Sequence, residues 1–277
     1  MLTNWAPLAA DFFEGYLGQR KNDPEVNVGI TGGDTLFEFV SALPARPRPD
    51  VRICSAAIVG RGNGINMLQH IDPMVNATLL WAKCGRPGFC CYATAAPYDG
   101  SVKDMKQLQA EMKSLAKREA IRETLRRMEA IDIAFVGLGV VKQTVVDRDS
   151  LKDREHLYKV SMMHLLPPKV AKEAVDRGAV GEIGYCLFDK EGNGKREWEL
   201  FLTPGSRVQD AEGGVAFYKA LVRDERKRVV VIAGSGKEEP LKAALRGELF
   251  NVWITDRNTA EESLKWKNPD LHPANRK

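Results

Sequence analysis

Apolar and polar positions run along this chain with two periods. Residues 5–17 carry Leu8, Phe12, Phe13 and Leu17 at helical spacing, which predicts a helix. "NDPE" breaks it. A β-branched run over 26–31 then ends in Gly32-Gly33, and Asp34, Thr35 and the helix-spaced "LFEF" follow. "ALPARPRPD" (42–50) is a proline-rich loop. "VRICSAAIV" (51–59) is apolar at nearly every residue, as a strand covered on both faces would be. After "GRGNG", residues 66–83 read as a helix that Pro73 either interrupts or starts, and "FCCYATA" (89–95) reads as a strand. The longest helical pattern covers 103–130, with Leu108, Met112, Leu115, Ile121, Leu125 and Met128 between charges. "IDIAFVGLG" (131–139) is a buried strand ending in glycine, and 140–170 has no clear pattern. "EIGYCLFD" and "REWELFL" read as a strand pair around the turn cluster "KEGNG". "RVVVIAGSG" (228–236) is strand then glycine before the helix "KEEPLKAALRG", and "FNVWITD" with "TAEESLKWK" repeats the unit.

Apolar strands that run through glycine or polar loops into helices imply an α/β fold with a doubly wound, mostly parallel sheet. The whole chain reads as one domain, with an N-terminal helix and linker over 1–24 and a polar, loose tail over 268–277. Ligands of such sheets sit outside the carboxyl ends of the strands, where the strand order switches. That singles out Gly32-Gly33, Gly137 to Gly139 and Gly234 to Gly236.

The 277 residues, 44% apolar and 28% charged with a net charge of +4, have an ordinary globular balance and no strong nucleic-acid footprint. The start lacks a basic n-region and contains Asp11 and Glu14, and no apolar run approaches the roughly 20 residues of a membrane span, so a cytoplasmic protein is expected. Five cysteines, an odd number, argue against a disulfide framework, and Cys84, Cys90 and Cys91 lack zinc-site spacing. They read as small core residues. No metal and no cofactor is expected.

In "GGDT", Gly32 and Gly33 permit close backbone approach, Thr35 can cap or bond a ligand, and the helix start favours negative charge. The plainer reading is a strand-to-helix turn with Asp34 as N-cap. No Gly-Lys-Ser/Thr and no G-x-G-x-x-G follows any strand. "GRGNG" offers Arg61, a fixed cation. "AGSGK" places Lys237 at a helix start, where a cation opposes the helix dipole and calls for an anion or a function. His70, His156, His164 and His272 are scattered, with no H-E-x-x-H and no G-x-S-x-G.

"VGITGGDTL", "AIVGRGNG", "IDIAFVGLG", "GAVGEIGYCLFDKEGNG" and "LKAALRGELFNVWITDRNTAEESL" together resemble the effector-binding domain of SorC-family bacterial transcriptional regulators, over roughly residues 5–265. The resemblance implies a fold similar to glucosamine-6-phosphate deaminase and ribose-5-phosphate isomerase, and a sensor of a small sugar or sugar phosphate. It implies Gly32, Gly33, Asp34 and Thr35 as the phosphate loop, with Gly137, Arg61, Glu182, Asp189 and Lys237 around the ligand. It also implies a homo-oligomer, no membrane, and DNA contact only through a separate or removed helix-turn-helix, since about 25 residues precede the first strand. Two residues depart from the family pattern. Asp34 stands where a neutral or basic residue is usual, and a carboxylate about 4 Å from a phosphate is a like-charge contact, so a neutral sugar or polyol is favoured. Met74 stands near an expected polar sugar contact. The alternative is an isomerase- or deaminase-like enzyme on the same fold, with Glu182 or Asp189 as its base. A protein-interaction role for 103–130 is the third class; an apolar stripe facing the core accounts for that segment more simply.

Overall fold

In the computed structural model, residues 5–58, 72–87, 90–91, 102, 104–142, 165–207 and 210–266 are described. Arg61, the "GRGNG" loop, residues 66–71, 92–95 and 143–164, the four histidines and the tail lie outside them. Six parallel strands form the main sheet in the order β3-β2-β1-β4-β8-β9: β1 Val26–Ile30, β2 Val51–Ser55, β3 Cys90–Cys91, β4 Ile133–Val136, β8 Arg228–Ile232 and β9 Val252–Ile254. The order reverses between β1 and β4, so the topological switch falls where Gly32-Gly33 and Gly137 leave the sheet.

Alternation along the strands divides the core. Ile133 and Phe135 of β4 and Val230 and Ile232 of β8 pack with α1 (Trp5–Gln19), α2 (Asp34–Ala42) and α3 (Pro73–Cys84). Their neighbours Ala134, Val136, Val229 and Val231 pack on the other face. Phe13, Phe39 and Phe135 lock the first face, with Phe39 stacked on Phe135 at 4.5 Å and Phe13 edge-on at 5.2 Å. Leu8 is an exception to the expected stripe of α1: it is exposed, and Ala9 and Ala10 are buried instead. Pro73 starts α3, and the Asp72 side chain caps it by accepting from the Met74 N–H.

Three expectations are corrected. The long helix over 103–130 is two, α4 (Met105–Leu115) and α5 (Glu119–Met128), with Arg118 extended between them. A continuous helix would carry the Leu108–Met112–Leu115 stripe on through 119 and 122, where Glu119 and Arg122 stand; the chain must bend to bury Ile121, Leu125 and Met128. The strand over 51–59 stops at Ser55, and among the described residues beyond it Ile58 bridges Leu202. "REWELFL" is not a strand of a pair: it holds a 3-10 turn (Arg196–Trp198) and a buried irregular run. The partner of β7 (Cys186–Asp189) is β6 (Ala179–Ile183), because Gly184 (φ 51°) and Tyr185 (φ 70°) close a two-residue turn. β6 also pairs antiparallel with β5 (Leu138–Val140), which continues from β4 through Gly137 and forms a second, three-stranded sheet. The remaining helices are α6 (Pro168–Asp176), α7 (Gly214–Arg223), α8 (Glu238–Arg246) and α9 (Arg257–Ser263).

Candidate functional site

At the end of β1 the chain turns into α2 through Gly33, whose φ of 119° suits glycine. Gly33 is the N-cap and makes no side-chain cap; Asp34 is the first helical residue, so the expectation of an Asp34 cap is corrected. A carboxylate in the first turn is favourable for the helix dipole. Asp34 and Thr35 are half-buried at the crevice. The loop is tied to β4: Thr31 donates its N–H to the Phe135 carbonyl (3.0 Å), and the Gly137 N–H donates to Thr31 Oγ1 (3.1 Å). From α3, the Asn76 amide donates to the carbonyls of Thr31 (3.1 Å) and Gly33 (3.4 Å). Asn76 is fully buried, and its Oδ1 has no hydrogen-bond partner among the described residues. Met74, two residues earlier, is half-buried in the first turn of α3.

Glu182 lies in β6, directly across from Gly139 of β5, and is 4% exposed. A Cβ on Gly139 would stand 2.2 Å from Glu182 Oε1, so the glycine makes room for the carboxyl. Oε2 accepts the Tyr185 N–H at 2.9 Å. Burial pushes the Glu182 carboxyl up to about 7, against the opposing pull of that N–H and of Lys237. Lys237, the N-cap residue of α8, is half-buried and turns its amine inward to the Leu138 carbonyl (2.5 Å). Desolvation holds its pKa below the usual lysine range, with Glu182 pulling the other way. The Gly184–Tyr185 turn joins this pair to the end of β4: Gly184 donates its N–H to the Gly137 carbonyl (3.1 Å), and a Cβ on Gly137 would stand 3.7 Å from the Gly32 carbonyl oxygen.

Gly32, Gly33, Asp34, Thr35, Gly137, Glu182 and Lys237 thus fall in one polar layer at the carboxyl ends of β1 and β4. Asp189 does not join it. It sits at the far end of the hairpin, where Oδ1 accepts the N–H groups of Glu191 and Asn193 (2.9 Å each) and shapes the "KEGNG" turn. Sequence reasoning missed Asn76 and Tyr185. A single amide inside the apolar helix "VNATLL" was a usable signal for the first; Tyr185 gave none. Among the described residues no group of histidine, cysteine and acidic side chains could hold a metal ion, and no helix is long and apolar enough to cross a membrane.

Comparison with solved structures shows the same fold at low identity. A DeoR family transcriptional regulator from Listeria monocytogenes is 20% identical with a TM-score of 0.59, covering 93% of this chain and 86% of that one. A transcriptional regulator from Streptococcus pneumoniae is 18% identical with a TM-score of 0.64, covering 96% and 87%. The full-length sorbitol operon regulator SorC from Klebsiella pneumoniae is 17% identical with a TM-score of 0.60, covering 94% of this chain and 71% of that one. The family model for the sugar-binding domain, Sugar-bind, matches residues 102–265. That match takes in β4 to β9 with Gly137, Glu182 and Lys237, more than half of the chain, and the chain belongs to this sugar-binding domain family.

Proposed function

We propose that this chain is the effector domain of a bacterial transcriptional regulator, that it binds a small uncharged sugar or polyol in the crevice between β1 and β4, and that it passes the signal to a separate DNA-binding unit, without turnover. The observation that carries the ligand class is the fully buried Asn76 side chain beside the β1–α2 loop, whose oxygen has no hydrogen-bond partner among the described residues. Sugar hydroxyls are the donors such groups need. Family membership and the fold shared with regulators support the sensing role. Ligand acts by favouring one arrangement of the crevice and of subunit packing in a homo-oligomer over another. A thermal-shift panel of neutral sugars and their phosphate esters tests it, since a ligand at a hundredfold excess over its Kd stabilises by about 2.7 kcal/mol. For the best neutral ligand, Asp34→Ala is expected to weaken binding roughly ten- to a hundredfold, the worth of a hydrogen bond to a charged group. A phosphate ester that binds more tightly than its parent sugar, with affinity unchanged in Asp34→Ala, overturns the neutral-ligand assignment.

One observation favours a second reading. A buried carboxyl near 7 beside a lysine is what a general base for sugar isomerisation needs. Product NMR on the protein incubated with sugar phosphates decides: turnover that disappears in Glu182→Gln would make this chain an enzyme.

A further inference from the structure

Lys237 sits where a charged amine is least at home. As the N-cap residue of α8 it lies at the positive end of the helix dipole. Two glutamates follow it, and neither pairs with it: Glu238 Oε1 accepts the Gly236 N–H (3.3 Å), and Glu239 pairs with Lys142 (2.9 Å). Lysines on the surface behave differently. Lys172 pairs with Asp176 at 2.9 Å, and Lys265 pairs with Glu262. The Lys237 amine turns inward instead, and the Leu138 carbonyl (2.5 Å) is its only partner among the described residues. One carbonyl uses one of the amine's hydrogens and leaves the rest of the group to the crevice.

Glu182 stands beside it. Its carboxyl covers Gly139, the residue bonded to Leu138: a Cβ there would be 2.2 Å from Oε1. Amine and carboxyl thus flank one peptide of β5, yet no ion pair joins them. The Tyr185 N–H holds Oε2 (2.9 Å), so the carboxyl keeps its place. Burial favours the neutral form of both groups, holding the lysine below and the carboxyl above their ordinary values. A neutral amine beside a protonated carboxyl is the pair that condenses with a carbonyl group.

We propose that Lys237 forms a reversible imine with the aldehyde carbon of an open-chain aldose, so that the site captures its sugar covalently. This rests on the reading of the crevice as the sugar site, and it narrows the ligand to reducing sugars. The steps balance without a further reactant. The amine lone pair attacks the carbonyl carbon, and a proton passes from nitrogen to the carbonyl oxygen, giving a carbinolamine. The nitrogen lone pair then forms the C=N bond, the C–O bond breaks, and the hydroxyl leaves as water with the Glu182 proton. The products are a protonated imine and the Glu182 carboxylate as its counter-ion. Water reverses the sequence and returns the sugar unchanged, so no product accumulates.

The test uses glyceraldehyde and sodium cyanoborohydride on the full chain at neutral pH. Hydride from the reagent adds to the imine carbon and makes the link permanent, and peptide mapping locates it. Lys237 is expected to be labelled about tenfold or more faster than Lys172 and Lys265, since each pKa unit below the ordinary lysine value raises the neutral amine fraction about tenfold. Lys237→Arg should lose this adduct and keep the others. Glu182→Gln, which keeps an oxygen for the Tyr185 N–H and lacks the proton, should slow labelling of Lys237 about tenfold or more and leave Lys172 unchanged. Labelling of Lys237 no faster than of Lys172 and Lys265, or undiminished in Glu182→Gln, overturns the proposal. Thermal shift with polyols, which carry no carbonyl, keeps the two readings apart. A protein that polyols stabilise but whose lysines label alike keeps the sugar site and loses the imine; a protein that no sugar or polyol stabilises loses both.

Discussion

Glu182→Gln is the substitution with the most calculable effect. The carboxyl is 4% exposed and raised from 4.5 to about 7, chiefly by desolvation. Between those two values the folded chain keeps a proton that the unfolded chain has released, so rising pH favours unfolding; the stability is present below the unfolded value and is lost as pH rises through the folded one. One pKa unit is worth about 1.4 kcal/mol, so this carboxyl makes the protein about 3 kcal/mol less stable at pH 8 than at pH 4.5. The groups facing it are the Lys237 amine, which opposes the shift, the Tyr185 N–H, and the Tyr185 and Tyr218 hydroxyls and the Cys186 thiol, all three of which its charge pushes further up. Glu199 is also raised to about 7 by burial, so wild type alone shows a mixed slope and the comparison has to be with the variant. Glutamine still offers an oxygen to the Tyr185 N–H. Urea unfolding of both proteins between pH 4.5 and 8 is expected to show wild type losing about 3 kcal/mol more than Glu182→Gln across that interval. Parallel stability curves would refute the argument that this carboxyl is buried and protonated near neutrality.

Other expectations follow from the same contacts. Gly139→Ala puts a Cβ 2.2 Å from Glu182 Oε1, and because that side chain is held by the Tyr185 N–H, the variant should lose about 1–3 kcal/mol in urea unfolding and weaken sugar binding. Asn76→Ala removes both amide bonds to the loop and should cost about 2 kcal/mol, with faster hydrogen exchange at Gly32 to Thr35 measured by mass spectrometry. Cys84 and Cys186, buried and pushed up to about 12, should stay unlabelled by a thiol reagent at pH 8 in the folded protein and react in urea, as read by peptide mapping.

The parallel sheet was legible because its strands are apolar on both faces and end in glycine, and the family resemblance pointed to Glu182 and Lys237. The break between α4 and α5 was read over as one helix, although the apolar positions slip by two residues between Leu115 and Ile121. The strand pairing was not legible. Trp198, Leu200 and Leu202 alternate as a strand would, and only the positive φ of both Gly184 and Tyr185 lets β6 close on β7 first. A Gly-Tyr pair is not a turn signal, so the hairpin inside "EIGYCLFD" stayed hidden. Asp189 was placed by its position at a strand end, but its carboxylate serves its own turn. Side-chain chemistry alone does not tell a ligand contact from a turn cap.

Amide shift mapping across a panel of neutral sugars tests the central claim most directly. A sugar that binds is expected to move the resonances of Gly32, Gly33, Thr35 and Gly137, the four backbone groups gathered at the ends of β1 and β4, and to leave Glu191 and Gly192 at the far end of the hairpin unmoved. A bound sugar that shifts distant amides while these four stay still would contradict the account.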